Sequence, residues 1–147
     1  MNNTNLHILL VDDDEDDRMF FEEALEDLNL KSRFEHVENG LEAIELLKDK
    51  DKLPDIVFLD LNMPILSGRE CLQRIRANDD LKNLKVVIYS TSFDPVTVEQ
   101  LYQNGANRYI RKPGAFKELK QTISDAILSL EREDKKPIPK KYFVINP

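Results

Sequence analysis

Two hydrophobic periods run through this chain. Leu6–Val11, Ile56–Leu59 and Val86–Tyr89 are short, nearly continuous apolar runs, the pattern of strands buried on both faces of a parallel sheet. Between such runs apolar residues return every three or four positions, as on one face of a helix. Met19, Phe20, Ala24, Leu25 and Leu28 form one stripe, with Glu22, Glu23, Glu26 and Asp27 on the other side. Leu41, Ala43, Ile44 and Leu47 form the next, Cys71, Leu72 and Ile75 another, and Phe116, Leu119, Ile123, Ala126, Ile127 and Leu130 the last. Ser32–Val37 is a weaker, more polar strand, suited to a sheet edge, and Arg108–Arg111 is a short fifth strand. Asn39-Gly40, Pro54, the Asn62–Gly68 stretch and Asn104-Gly105 punctuate the elements, and Asp94-Pro95 reads as a helix start. Alternating strands and helices with short connections imply an α/β domain: a doubly wound, five-stranded parallel sheet with five helices on its two faces.

The chemistry collects where strands end. Leu6–Val11 runs into Asp12-Asp13-Asp14, Ile56–Leu59 into Asp60, and Tyr109-Ile110-Arg111 into Lys112-Pro113. In an open α/β sheet, ligands sit outside the carboxyl ends of the strands. Clustered carboxylates with one lysine make a site for a divalent cation and a phosphoryl group. Two carboxylates about 4 Å apart repel by about 4 kcal/mol at an effective dielectric of 20. A cation-free cluster is therefore strained or partly protonated, and a cation relieves it.

Composition narrows the function classes. The chain has 147 residues, 41% hydrophobic and 33% charged, which fits one folded domain and not general disorder. A net charge of −7 argues against nucleic acid or an anionic membrane as the main partner. The single cysteine, Cys71, excludes an internal disulfide and a cysteine-based zinc site, and points to a reducing, cytoplasmic location. No basic, apolar leader and no membrane-length run is visible. The domain is expected over 1–130. Residues 131–147 form a C-terminal extension, charged at first, stiff at Pro137-Ile138-Pro139, then basic and apolar through Lys140–Ile145. It is either disordered or places Tyr142–Ile145 on a sheet edge or in a groove of a partner subunit.

Taken together, Leu9-Leu10-Val11-Asp12-Asp13, Phe58-Leu59-Asp60-Leu61-Asn62-Met63-Pro64 with Gly68, Ser90 closing its strand, and Gly105-Ala106 before Tyr109–Pro113 resemble the receiver domain of two-component response regulators. The resemblance spans Leu6 to Leu130 and includes the chemotaxis regulators. It implies the flavodoxin-like strand order 2-1-3-4-5. It also implies that Asp60 accepts a phosphoryl group from a phosphohistidine on a sensor histidine kinase or a histidine phosphotransfer protein. Mg2+ would be held by Asp13 and Asp60, by Asp12 mainly through water, and by the Asn62 backbone carbonyl. Lys112 would pair with Asp60 and then with the phosphoryl oxygens, and the Ser90 hydroxyl would reach a second oxygen. A cis Lys112-Pro113 bond would aim the lysine. Ser90 and Tyr109 would act as the switch that remodels a surface for a downstream protein target. Asn62, Thr91 and Ser92 would tune the phosphate lifetime; Thr91 is larger than the residue usual there and would narrow access.

These residues also have plainer readings. Asp14, Glu15, Asp16 and Asp17 suit a helix N-terminus without any further role. Asp12, Asp14, Asp16 and Glu23 mimic a calcium loop, but Asp17 stands where that loop needs glycine and a strand precedes it. His7 and His36 lack ligand spacing, Cys71 suits a buried helix face, and Tyr109 and Ser90 alone would be ordinary strand residues. The expectation is a stand-alone response regulator, a monomer or weak dimer and no enzyme beyond its own phosphorylation and dephosphorylation. Its alternatives are a phosphate shuttle in a relay, a receiver-like interaction module that is never phosphorylated, and a magnesium phosphohydrolase. The last usually has an acid two residues after its nucleophile, where this chain has Asn62.

Overall fold

The computed structural model describes residues 5–131 and 139–146. Six strands, β1 (Leu6–Val11), β2 (Ser32–Val37), β3 (Ile56–Leu59), β4 (Lys85–Ser90), β5 (Arg108–Arg111) and β6 (Val144–Ile145), form one parallel sheet. Their order is β2-β1-β3-β4-β5-β6. Five α-helices, α1 (Glu15–Asp27), α2 (Gly40–Leu46), α3 (Gly68–Ala77), α4 (Pro95–Gln103) and α5 (Phe116–Glu131), cover it. The fold is the flavodoxin-like, doubly wound arrangement with order 2-1-3-4-5, and the strand count is six where the sequence pattern predicts five. The added strand comes from the C-terminal extension. Val144 pairs with Tyr109 and Ile145 with Ile110, and the Tyr109 amide donates to the Phe143 carbonyl at 3.0 Å. A five-stranded sheet would leave the backbone groups along that side of β5 without partners, and β6 supplies them. Residues 132–138 of the extension lie outside the described residues.

Strand alternation divides the core in two. Ile8 and Leu10 of β1 turn toward Phe21 and Leu25 of α1 and Ile123 and Ile127 of α5. Leu9 and Val11 turn the other way, toward Ala43 of α2, Leu72 and Ile75 of α3 and Leu101 of α4. Two stripe members leave the core: Met19 is 53% and Leu41 48% exposed, whereas Phe21 and Ala43 are fully buried. Each exposed residue stands two positions before the buried one, about 200° around the helix.

Local chemistry sets the helix starts. The carboxylate of Asp14 accepts from the Asp17 amide at 3.0 Å, and the Asn39 side chain accepts from the Glu42 amide at 2.9 Å. Ser67 and Glu70 form a reciprocal cap, and the Asp94 carboxylate accepts from the Thr97 amide at 3.2 Å, with Pro95 in the first turn of α4. Gly105 ends that helix with φ +93°, a conformation open to glycine. Among the described residues, no helix is long and apolar enough to cross a membrane.

Gly68 ties the fold to the strand ends. Its amide donates to the Leu61 carbonyl at 2.9 Å, so the loop after β3 folds back on itself. A β-carbon at this position would stand 2.0 Å from the Asp60 carbonyl oxygen and 2.8 Å from the Leu61 α-carbon. Backbone atoms cannot yield as a flexible side chain does. Gly68→Ala is therefore expected to lower unfolding free energy by about 2 kcal/mol, from overpacking against backbone. Urea denaturation of the two proteins measures this; equal stability would contradict the close approach.

Candidate phosphoryl and cation site

Parallel pairing carries past the formal strand ends and brings the charged residues level. The Asp12 amide donates to the Val37 carbonyl at 3.1 Å, the Asp60 amide to Val11 at 3.0 Å, and the Lys112 amide to Ser90 at 2.8 Å. The sheet thus sets Asp12 and Asp60 on adjacent strands at its carboxyl rim, with Lys112 beyond β4 on the same rim. One ligand atom from each of Asp12, Asp13 and Asp60 lies within 4.8 Å of the others. Asp12 and Asp60 are buried, and Asp13 is exposed.

Lys112 stands among these acids. Its ammonium lies 2.8 Å from Asp12 Oδ2, 2.8 Å from Asp17 Oδ2 and 3.5 Å from Asp60 Oδ2. It also lies 5.2 Å from the centre of the Tyr89 ring, within cation–π range. Asp60 Oδ1 accepts from the Leu61 amide at 2.8 Å. Asp12 Oδ1 accepts from the Asp14 amide at 3.0 Å, but Oδ2 is buried with no hydrogen bond in good geometry and is held by the lysine charge alone. A buried carboxylate oxygen with spare lone pairs, beside two more carboxylates, is a hard-oxygen donor set that fits a divalent cation.

Electrostatics follow from burial. Removal from water pushes the Asp60 carboxyl up to about 6; the neighbouring Asp12 charge adds to this, while Lys112 and the Leu61 and Asn62 amides oppose it. Burial likewise raises Asp12, with Lys112 and the Asp14 amide pulling it back. The same acids hold the Lys112 ammonium above the usual lysine range despite its own burial. The cluster is therefore short of positive charge.

The remaining predicted residues line the adjoining side. The Asn62 side-chain amide donates to Ser92 Oγ at 3.0 Å, and the Ser92 amide donates to Ser90 Oγ at 3.2 Å. Ser90 is fully buried and Thr91 is exposed. Tyr109 is fully buried, its ring turned inward and its hydroxyl donating to the Ser92 carbonyl. Lys112-Pro113 departs from expectation: no cis peptide bond occurs among the described residues. The lysine reaches all three acids through a trans bond, because β5 already delivers its backbone to Ser90 and its long side chain spans the rest.

Pattern reading underrated two residues. Asp17 reads as helix-end decoration, yet it forms one of the two shortest ion pairs of Lys112. The available signal is its place in the first turn of α1, where side chains lean back toward the helix start and so toward the rim. Tyr89 reads as strand core, and no sequence feature marks its ring as the surface beside the ammonium.

Known proteins with this arrangement bear directly on it. The model of the response regulator receiver domain matches residues 8–124. Chemotaxis protein CheY-3 of Vibrio cholerae is 35% identical over 121 residues, which cover 82% of this chain and 91% of that protein. Among solved structures, the phosphorylated cyanobacterial phytochrome response regulator RcpA superposes with a TM-score of 0.80 at 28% identity, covering 92% of this chain and all of that one. The Mn(2+)-bound form of response regulator Rcp1 gives 0.74 at 29% identity, over 91% and 99% of the two chains. Receiver domains work with histidine kinases and downstream targets and are not enzymes in the ordinary sense. With its sheet order, its acidic rim and its matching span in agreement, this chain belongs to the response regulator receiver domain family.

Proposed function

We propose that Asp60 accepts a phosphoryl group from a phosphohistidine on a sensor histidine kinase or phosphotransfer protein, and that the modification switches a protein-binding surface. The observation that carries this reading is the buried Asp60 carboxylate beside both Asp12 and Lys112 at the sheet rim. A carboxylate oxygen of Asp60 attacks phosphorus, the phosphorus–nitrogen bond to the donor imidazole breaks, and that nitrogen takes up a proton. Little covalent help is needed from other residues; positioning and charge neutralisation do most of the work. The grouped carboxylates of Asp12, Asp13 and Asp60 would hold Mg2+, with the Asn62 backbone carbonyl as a further oxygen ligand, and the ion would supply positive charge for the phosphoryl oxygens. The Mn(2+)-bound Rcp1 structure supports a divalent ion in this role.

The other side chains divide the remaining tasks. Lys112 neutralises the resting cluster and then the phosphoryl group. Ser90 donates its hydroxyl hydrogen to a phosphoryl oxygen while its oxygen keeps accepting from the Ser92 amide. Tyr109 reports the change, since its hydroxyl holds the Ser92 carbonyl on the same loop. Asn62, Thr91 and Ser92 set how readily water reaches the acyl phosphate, and exposed Thr91 stands at the entrance.

Incubation with Mg2+ and a small phosphodonor should give a hydroxylamine-sensitive acyl phosphate in the wild type and none in Asp60→Asn. Equal labelling of the variant would remove Asp60 from the reaction. The same variant tests the charge balance without metal. A carboxyl raised to about 6 from 3.8 binds its proton more tightly when folded, so its contribution to stability is complete below pH 3.8 and lost as pH rises through about 6. Metal-free Asp60→Asn should therefore be about 3 kcal/mol more stable than wild type at pH 7, the advantage closing near pH 4. An equal or less stable variant at pH 7 would contradict the burial cost.

Lys112→Ala leaves the acids without their cation. It is expected to fold but to lose about 3 kcal/mol at pH 7, as when one partner of a buried pair is removed. Part of the loss returns at pH 5, as Asp60 becomes neutral. Phosphorylation-dependent binding of a target should be impaired. Normal switching in this variant would refute the role given to Lys112.

A further inference from the structure

The C-terminal extension does more than complete the sheet. Phe143 is 1% exposed and lies in the core on the α3–α4 side, although only two strand residues follow it. Its ring meets Tyr102 of α4 edge-on at 5.3 Å and Tyr109 of β5 edge-on at 6.3 Å. Its carbonyl accepts the Tyr109 amide. A third ring, Phe93, meets Tyr109 at 5.7 Å. Tyr109 is thus fixed at both its backbone and its ring face by one residue of the extension.

What Tyr109 touches at its far end gives this packing a consequence. Its hydroxyl donates to the Ser92 carbonyl, the Ser92 amide donates to Ser90 Oγ, and Ser92 Oγ accepts from Asn62. A continuous set of contacts therefore leads from Phe143 through Tyr109 to the loop bearing Ser90, and Asn62, which donates to that loop at Ser92, stands two residues after Asp60. Outside the phenylalanine, the extension is tied to α4 by the Lys140–Glu99 ion pair, so it stays anchored on the same element that carries Tyr102.

We propose that Phe143 is a positioning residue for the phosphoryl site: it holds Tyr109 inward, and through the Tyr109 hydroxyl it sets the Ser90–Ser92 loop. The inference rests on Asp60 being the phosphoryl acceptor. Docking of the extension and occupancy of the site are then coupled, and linkage makes the coupling mutual. A phosphoryl group that uses the Ser90 hydroxyl favours the docked extension, and a detached extension weakens phosphoryl binding. Two discrete packings of Tyr109, inward and released, carry the effect.

A double-mutant cycle on the full chain tests this, using Phe143→Ala, Tyr109→Phe and the two combined. The first readout needs no phosphate: amide hydrogen exchange at residues 90–92. The second is the affinity for beryllofluoride, a phosphoryl mimic, in the presence of Mg2+. Phe143→Ala is expected to speed exchange at Ser92 and to weaken beryllofluoride binding about 5- to 20-fold, the range of ordinary site-to-site coupling. Phe143→Leu, which refills most of the space, should recover most of both. In the Tyr109→Phe background, which lacks the hydroxyl, Phe143→Ala should add little at Ser92. Unchanged exchange and affinity in Phe143→Ala, or equal effects with and without the Tyr109 hydroxyl, would overturn the proposal. If wild type binds no beryllofluoride, the assignment of Asp60 fails, while the exchange data still decide whether Phe143 positions the loop.

Discussion

Everything at the rim depends on one ammonium group shared by three carboxylates. Lys112 lies within 3.5 Å of Asp12, Asp17 and Asp60, and two of these acids are buried. Burial disfavours their charged forms, and a single cation cannot compensate all of them. The result is a site that is held together and yet electrostatically incomplete. An added divalent ion and a transferred dianionic group change that balance in opposite directions, so both have a reason to be recognised here.

The sheet is what makes this geometry affordable. Ladder contacts from Asp12, Asp60 and Lys112 to the neighbouring strands fix the three backbones before any side chain is placed. Gly68, folded against the Asp60 carbonyl, then closes the loop that would otherwise let the acceptor drift. Rigid strands below and short polar loops above separate the two tasks, positioning from below and adjustment from above. The Ser90–Ser92 loop belongs to the adjustable part, because side chains from β5 and from the β3–α3 connection hold it.

Much of this was legible in the sequence, for identifiable reasons. Continuous apolar runs ending in Asp12 and Asp60 locate two buried strands and their ligand end, since a parallel sheet leaves no polar face to alternate with. Capping residues such as Asn39 and Asp94 mark helix starts through the hydrogen bonds they make locally. What depends on distant contacts was less readable. Asp17 joins the cluster only because Lys112 arrives from 95 positions away. Met19 and Leu41 satisfy an apolar stripe, but the choice of which side is buried belongs to the neighbouring strands. A two-residue strand such as β6 has too few side chains to display a period; the apolar run Tyr142–Ile145 left a sheet edge as one of several readings, and the assembled sheet selects β5 for it. The trans Lys112-Pro113 bond belongs to the same group, being a matter of where β5 delivers the lysine.

The central claim is that the residue-60 carboxylate is the group that becomes phosphorylated. Borohydride reduces an aspartyl phosphate to homoserine, which peptide mass spectrometry locates to a single residue. After exposure to Mg2+ and a phosphodonor, the account predicts homoserine at position 60 and at none of the other acids of the rim. Reduction at residue 12, 13 or 17, or no reduction in folded protein that binds the cation, would contradict it.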